Sequence, residues 1–259
     1  MNKKVCLVSI DGMRPDGLLA CNNPFVKELE EKCSYTYEAK SAYPSVTLPC
    51  HMTMTHSVSP QRHGILANTY VPQVRPVPGI FEKLHGAGAV NAMFYGWEPL
   101  RDISRPESLD FATYIEAYRL ESADTVLTDE AIRVMDSYSP DFVFLYMVDT
   151  DEKGGHDNGW MSEEYLRRIS IAIDNVKRVI DRFGDEYEFI IVADHGGHDR
   201  GHGADIPEDM IIPMFLYGKS FEKGRIVEDA SLLDVAPTIA DVMGVAPDSA
   251  WEGRSLTNR

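Results

Sequence analysis

The sequence predicts an α/β fold, in which a central, mainly parallel sheet carries helices on both faces. Short apolar runs alternate along the chain with longer amphipathic segments, and this alternation is typical of parallel strands joined by covering helices. The strand candidates are also apolar at nearly every position, as expected for strands buried on both faces. At 259 residues the chain is near the upper limit for one hydrophobic core, so we expect a single domain over residues 1–259.

Five strands and five helices are predicted. The helix candidate at residues 163–183 is the clearest, because apolar residues recur at spacings of three and four and Ser162 provides an N-cap. We expect an extended connector at residues 72–78, and a loop or small substrate-facing insertion at residues 98–121. The strands are predicted at residues 5–10, 89–95, 142–148, 189–193 and 211–217. The remaining helices are predicted at residues 25–32, 79–85, 128–138 and 232–243.

The charge balance limits the choice of partners. The chain has 25 basic and 41 acidic residues, which gives a formal net charge of −16. So negative a surface repels nucleic-acid backbones and anionic membranes, and we expect neither as a partner. An anionic small molecule would need a local positive centre, for which a bound metal ion is the obvious candidate.

The N-terminal segment and the cysteines predict a cytoplasmic location. The first apolar stretch is interrupted by Asp11 and Arg14, so it is too short for a signal peptide. No apolar run approaches the ~20 residues that cross a bilayer. The four cysteines show no CxxC spacing, which argues against a zinc ribbon or a disulfide framework. The sequence does not indicate an oligomeric state.

Asp11 directly follows the first predicted strand and precedes Gly12. A carboxylate at the end of a buried strand suits a metal ligand, with glycine permitting a sharp turn. Asp and Gly are also common turn formers, so a plain turn is the competing interpretation.

The predicted strand at residues 142–148 is followed by an acidic segment, in which Asp149, Asp151 and Glu152 precede His156. Carboxylate and imidazole groups together are typical metal ligands. A solvated acidic loop is the alternative.

The densest cluster follows the predicted strand at residues 189–193. Two aspartates and three histidines fall within nine residues, and core packing does not require such a combination. Metal binding is therefore the favoured interpretation. In a parallel sheet the carboxyl ends of the strands meet at one edge, so the three acidic segments should converge. The cluster consists of Asp194, His195, His198, Asp199 and His202.

Thr47 lies in a hydroxyl-rich segment between Pro44 and Pro49. Pro49 suits the first turn of a helix through residues 52–55. Thr47 would then lie at a helix N-terminus, where free N–H groups and the helix dipole favour a bound phosphate. An ordinary N-cap threonine is the alternative interpretation.

Together these motifs resemble the alkaline phosphatase superfamily and, within it, the nucleotide pyrophosphatase/phosphodiesterase family. The matching segments keep the family's order over most of the chain. They are residues 10–14, 43–51, 59–68, 155–159, 193–196 and 233–240.

The resemblance implies an alkaline phosphatase-like α/β/α sandwich that binds two divalent metal ions, Zn²⁺ or alternatively Mn²⁺. It implies that Thr47 is the nucleophile and that Asn68 contacts the phosphoryl oxygens. One metal would be held by Asp11, Thr47, Asp194 and His195, and the other by Asp151, His156 and His202.

Two assignments depart from the family pattern. The family's aspartate precedes its histidine by four residues, where this chain has Glu152. We infer a one-residue glycine insertion and choose Asp151, with Asp149 and Glu152 as alternatives. The family's last histidine lies far downstream. Here His202 resembles the late histidine of related phosphomutases, with His198 as its competitor and expected supporting residue.

The implied activity is hydrolysis of a phosphate diester or nucleotide pyrophosphate through a phosphothreonine. Phosphomonoester or phosphonate hydrolysis is the alternative within enzymes. A sulfatase is disfavoured, because sulfatases need Cys or Ser where this chain has Thr47. A metal-binding domain without turnover is the non-enzymatic alternative.

Overall fold

The computed structural model describes residues 3–258, and positions 1, 2 and 259 of the expected domain lie outside this range. Within it, one sheet has seven strands in the spatial order β2-β7-β6-β1-β5-β3-β4. The pairings are parallel except those of β7 with β2 and with β6. The predicted fold class, a mainly parallel sheet covered by helices, is confirmed. The strands are β1 Lys4–Ile10, β2 Cys33–Lys40, β3 Asn91–Tyr95, β4 Phe111–Tyr114, β5 Phe142–Met147, β6 Tyr187–Val192 and β7 Ile211–Tyr217.

All five predicted strands are present, and the two that the sequence missed, β2 and β4, lie at the sheet's edges. Their sequences, CSYTYEAK and FATY, mix buried with exposed positions. An edge strand keeps part of its surface in solvent, so it lacks the nearly continuous apolar run that marks β1, β5 and β6. A pattern of apolar runs therefore predicts central strands and not edge strands.

The described residues form nine α-helices on the two faces of the sheet. The helix at Glu163–Phe183 has the predicted bounds, and the Oγ atom of Ser162 accepts a hydrogen bond from the backbone N–H of Tyr165 at 3.2 Å. The helix predicted at residues 128–138 begins earlier, at Ala123. The helices are α1 Pro15–Ala20, α2 Phe25–Lys32, α3 Thr47–His56, α4 Pro60–His63, α5 Ile80–Gly86, α6 Ala123–Tyr138, α7 Glu163–Phe183, α8 Pro207–Met210 and α9 Val235–Met243.

Helix α3 is longer than the sequence predicted, and all ten of its residues are buried. A helix surrounded by protein on every side has no polar face, so the alternation that reveals amphipathic helices is missing. Its burial matters for function, because α3 begins at Thr47.

The two irregular segments differ in the structure. Residues 72–78 have no helix or strand, as expected for a connector. Residues 98–121 contain three short 3-10 turns and the edge strand β4, so this segment is partly built into the sheet. Among residues 3–258, no helix combines the length and apolarity that a membrane span requires.

Candidate metal centre and nucleophile

The three central strands β6, β1 and β5 lie side by side, and an aspartate follows the carboxyl end of each. Asp11, Asp151 and Asp194 are all buried, with at most 4% of each residue exposed. Gly12 has a φ of +64°, and a Cβ at this position would lie 2.7 Å from the Asp151 Oδ1 atom. The Asp11–Gly12 segment is therefore a sharp turn, and the glycine lets the aspartates approach each other closely.

Asp11, Asp194 and His195 form the first of two groups able to hold a cation. The His195 Nε2 atom lies 3.2 Å from the Asp11 Oδ1 atom and 3.4 Å from the Asp194 Oδ2 atom. The Thr47 Oγ1 atom lies 3.3 Å from the same Nε2 atom. All four side chains of the first expected ligand set thus meet at one point, although they come from three distant parts of the chain.

Asp151, His195 and His202 form the second group. The His202 Nε2 atom lies 4.0 Å from the Asp151 Oδ1 atom. His156 approaches the other oxygen of the same carboxylate, with 3.3 Å between its Nε2 atom and Asp151 Oδ2. The second expected set therefore also comes together. The structure adds that His195 lies between the two sets, with its ring stacked on that of His202 at 3.9 Å.

The three histidines near these carboxylates share one hydrogen-bonding pattern. Each directs its Nδ1 atom to a backbone carbonyl oxygen: His156 to Arg200 at 2.9 Å, His195 to Gly196 at 2.8 Å and His202 to Ser45 at 2.8 Å. A carbonyl accepts only, so Nδ1 carries the proton in each neutral ring. Each Nε2 atom then presents its lone pair toward the carboxylates, which is the arrangement that metal-binding histidines adopt.

The carboxylates supply a direct test of whether a cation fits. Asp11 Oδ1, Asp151 Oδ1 and Asp194 Oδ2 are buried without a hydrogen-bond donor, and unpaired buried oxygens of this kind are costly. Burial, reinforced by the neighbouring Asp151 carboxylate, raises the pKa of Asp194 to about 8. Burial lowers the pKa of His195 to about 3, so this ring remains neutral. Three acceptor oxygens beside the neutral imidazole of His195 fit divalent metal ions well.

The expected nucleophile, Thr47, is the first residue of α3, and no side chain caps this helix end. The backbone N–H of Leu48 donates to the Oδ1 atom of Asn68 at 2.9 Å. This bond holds the exposed Asn68 beside Thr47. Within residues 3–258 the Asn68 Nδ2 group donates to no other residue, so it is available to an oxygen of a ligand.

The alternative ligands have other partners. Asp149 accepts a hydrogen bond from Lys153 at 2.6 Å, and Glu152 accepts one from the Tyr118 hydroxyl at 3.0 Å. The Nδ1 atom of His198 lies 2.8 Å from the Asp209 Oδ1 atom. Among the described residues, none of these three alternatives belongs to either group.

Within the acidic segment, residues Thr150–His156 form a π-helical turn. Hydrogen bonds in a π-helix join residues five apart instead of four. Asp151 and His156 are five apart, so this turn places them on the same side. Gly155 allows the turn to pack closely, since a Cβ there would lie 2.5 Å from the Trp160 Cη2 atom. The inferred extra residue is thus accommodated by the wider turn.

Sequence reasoning missed several residues around the site. The Tyr146 hydroxyl donates to the Asp11 Oδ2 atom. The Trp160 Nε1–H donates to the Gly12 carbonyl at 3.0 Å. His51 lies inside the nucleophile segment, but nothing in the sequence pattern assigns it a role. Only tertiary contacts distinguish these side chains from ordinary core residues, so their own positions carried no usable signal.

Comparison with known proteins agrees with this geometry. The family model for type I phosphodiesterase / nucleotide pyrophosphatase matches residues 5–207. Ectonucleotide pyrophosphatase/phosphodiesterase family member 1 of Rattus norvegicus is 23% identical over 217 residues, which are 73% of this chain. A phosphopentomutase of Symbiobacterium thermophilum is 30% identical over 112 residues, covering 43% of this chain and 28% of the relative. The chain spans only 23% of the rat relative's length.

Solved structures with the same fold include two esterases. Murine ectonucleotide pyrophosphatase/phosphodiesterase 5, an inactive variant in complex with AMP, superposes with a TM-score of 0.80 at 15% identity, covering 95% of this chain and 96% of that chain. Phosphonate monoester hydrolase from Silicibacter pomeroyi gives a TM-score of 0.75 at 17% identity, covering 98% and 76%. The family match covers most of the chain and includes every expected ligand. The chain belongs to the type I phosphodiesterase/nucleotide pyrophosphatase family.

Proposed function

We propose that this protein hydrolyses phosphate diesters or nucleotide pyrophosphates through a phosphothreonine formed on Thr47. One observation carries the proposal: the Thr47 Oγ1 atom lies 3.3 Å from the His195 Nε2 atom, at the edge of the carboxylate cluster. The hydroxyl therefore lies among the expected metal ligands. A threonine that merely capped a helix would have no need of such neighbours.

Two divalent metal ions, zinc or alternatively manganese, are part of the proposal. Asp11, Thr47, Asp194 and His195 would hold one ion, and Asp151, His156 and His202 the other. Such ions supply the acidity that a threonine hydroxyl lacks at neutral pH and neutralise charge on phosphoryl oxygens.

The chain's own groups provide the remaining functions. Thr47 supplies the attacking oxygen, and its position at the N-terminus of α3 directs the positive end of the helix dipole toward the phosphoryl group. The Asn68 Nδ2 group donates to an equatorial oxygen of the phosphoryl group, in the manner of an oxyanion donor. Burial of Asp11 and Asp194 excludes water from the side of the nucleophile facing the sheet.

The substrate class is supported by relatives. The murine neighbour with this fold binds AMP. A cavity of about 960 Å³ lies beside the later half of α3, at Met52 and His56, but its lining includes neither Thr47, Asn68 nor any expected metal ligand, so it does not bear on the substrate. Because a phosphonate monoester hydrolase shares the fold, monoesters and phosphonates must be compared with diesters.

Replacement of Thr47 tests the proposal. With added zinc or manganese, Thr47→Ala should abolish turnover of an aryl phosphodiester, whereas Thr47→Ser should retain part of it, since the hydroxyl survives. Intact-mass analysis of quenched wild-type enzyme should show one added phosphoryl or nucleotidyl group, absent from Thr47→Ala.

Ser45→Ala is the matched control, because Ser45 lies two residues before Thr47 and donates to the Ala204 carbonyl at 3.0 Å. If Ser45→Ala loses activity and Thr47→Ala keeps it, the nucleophile is misassigned. Metal uptake without turnover of any ester would favour the non-enzymatic alternative.

A further inference from the structure

His51 connects the nucleophile to the metal centre. It lies four residues after Thr47 on α3, on the same face of the helix, and its side chain is fully buried. Its Nδ1 atom lies 2.8 Å from the Thr47 carbonyl oxygen and 3.4 Å from the Asp194 Oδ2 atom. Its Nε2 atom lies 2.9 Å from the Ser9 Oγ atom.

These partners determine where the proton of the ring resides. A carbonyl oxygen can only accept, so Nδ1 must carry a hydrogen, which it donates to the Thr47 carbonyl. In the neutral ring Nε2 has no hydrogen, and it accepts from the hydroxyl of Ser9. Both ring nitrogens then have partners, and neither is left for a metal or a substrate. His51 therefore acts through other residues.

The contacts of His51 join the elements on which the site is built. Ser9 belongs to β1, which ends just before Asp11, while Thr47 begins α3 and Asp194 follows β6. The ring also contacts Tyr146 of β5 edge to face, at 5.1 Å between centroids. A single buried side chain thus contacts all of these elements directly.

We propose that His51 is a positioning residue, whose Nδ1–H binds the Thr47 carbonyl while its ring lies against the Asp194 carboxylate, 3.4 Å from Oδ2, and so aligns the nucleophile with its metal. The inference rests on the proposed function. It adds a structural requirement: the α3 backbone at Thr47 must be held against the loop that carries Asp194. Without this ring, the helix start and the carboxylate can separate while each element remains folded.

Three substitutions at position 51 separate positioning from packing. The side-chain amide of His51→Asn can place an N–H near the Nδ1 position, and that of His51→Gln can reach only toward the Nε2 position. His51→Leu fills space without either. We expect kcat to fall about 10–100-fold in His51→Leu and His51→Gln, the range found when a residue supporting a metal ligand is lost. His51→Asn should lie closer to wild type, with KM nearly unchanged throughout.

Metal affinity provides a readout that does not require turnover. Competition with a chromophoric chelator should show weaker zinc binding in His51→Leu and His51→Gln than in His51→Asn. His51→Leu also leaves the Ser9 hydroxyl buried without a partner, so a double variant with Ser9→Ala removes that cost from the melting temperature. The double variant should melt higher than His51→Leu but remain equally poor in kcat.

Two results would overturn the inference: rescue by His51→Gln but not by His51→Asn, or wild-type kcat and zinc affinity in all three variants. Failure of the proposed function is distinguishable from both. If wild-type protein forms no phosphothreonine, the proposed reaction fails, while the order of zinc affinities among the His51 variants still tests the positioning contact.

Discussion

The histidines at the carboxyl ends of the central strands and those of the α3–α4 region differ in how their ring nitrogens are satisfied, although His195 and His63 are both buried. In His156, His195 and His202, Nδ1 is bonded to a backbone carbonyl and Nε2 faces carboxylates. His63, by contrast, has Nε2 against the Thr53 Oγ1 atom at 3.2 Å and accepts the Ile65 N–H at Nδ1. Burial of a histidine therefore says little about whether it binds a metal ion. What indicates a ligand is a free Nε2 atom among unpaired carboxylate oxygens.

The largest effect should come from His195, which belongs to both groups of candidate ligands. We expect His195→Ala to lose most of its bound metal and to have no measurable phosphodiesterase activity. Elemental analysis of purified protein, together with turnover of an aryl phosphodiester, measures both.

His63→Ala is the matched control for His195→Ala, because it removes an equally buried ring whose nitrogens both have protein partners. It should keep its metal, although the lost hydrogen bonds cost stability. Equal metal loss in the two variants, both folded, would show that the histidines of the two regions do not differ in metal binding.

A smaller effect separates His202 from His198. The His202 side chain is 9% exposed and faces Asp151, whereas that of His198 is 41% exposed and pairs with Asp209. We expect His202→Ala to bind one metal fewer per chain. His198→Ala should keep both metals and lose at most about 10–100-fold in activity, as for residues that support ligands.

A structure or metal titration that places His198 on the metal, with His202 turned to solvent, would reverse this assignment. Asp151→Ala, compared with Asp149→Ala, extends the same test to the carboxylate side, because only Asp151 belongs to a group.

The smallest effect concerns stability in acid, and it tests a buried histidine of α3 that has no part in the metal centre. Burial lowers the pKa of His56 from 6.5 to about 4. Between these values the unfolded chain binds more protons at this position than the folded protein does, so stability falls as pH drops from about 6.5 to about 4. The shift corresponds to roughly 3 kcal/mol for this group at the acidic limit.

His56→Asn should therefore flatten the decline in unfolding free energy between pH 6.5 and pH 4, as measured by urea denaturation. Metal content at pH 7 should be unchanged. The exposed His85 provides the control, and His85→Asn should leave the decline as in wild type. A slope unaltered by His56→Asn would show that this histidine is not kept neutral by its surroundings.

Much of the fold was predictable because the central strands are buried on both faces. Strands β1, β5 and β6 are nearly continuous apolar runs, and the amphipathic stripe of α7 indicated its bounds. The edge strands β2 and β4 escaped prediction because they mix polar with apolar residues. The buried helix α3 was predicted shorter than it is, because it lacks a polar face.

The sequence alone was enough to predict that aspartates and histidines meet at one edge of the sheet. They follow three predicted strands, and the carboxyl ends of parallel strands lie together. Asp151 was chosen only through the family resemblance, and Asp149 and Glu152 remained as alternatives because they are near neighbours of the same chemical type. Tertiary structure decided their surroundings: the π-helical turn brings Asp151 to His156, while Lys153 binds Asp149. The contacts of His51 were likewise fixed only by folding, since Ser9, Thr47 and Asp194 meet around its ring from three separate elements.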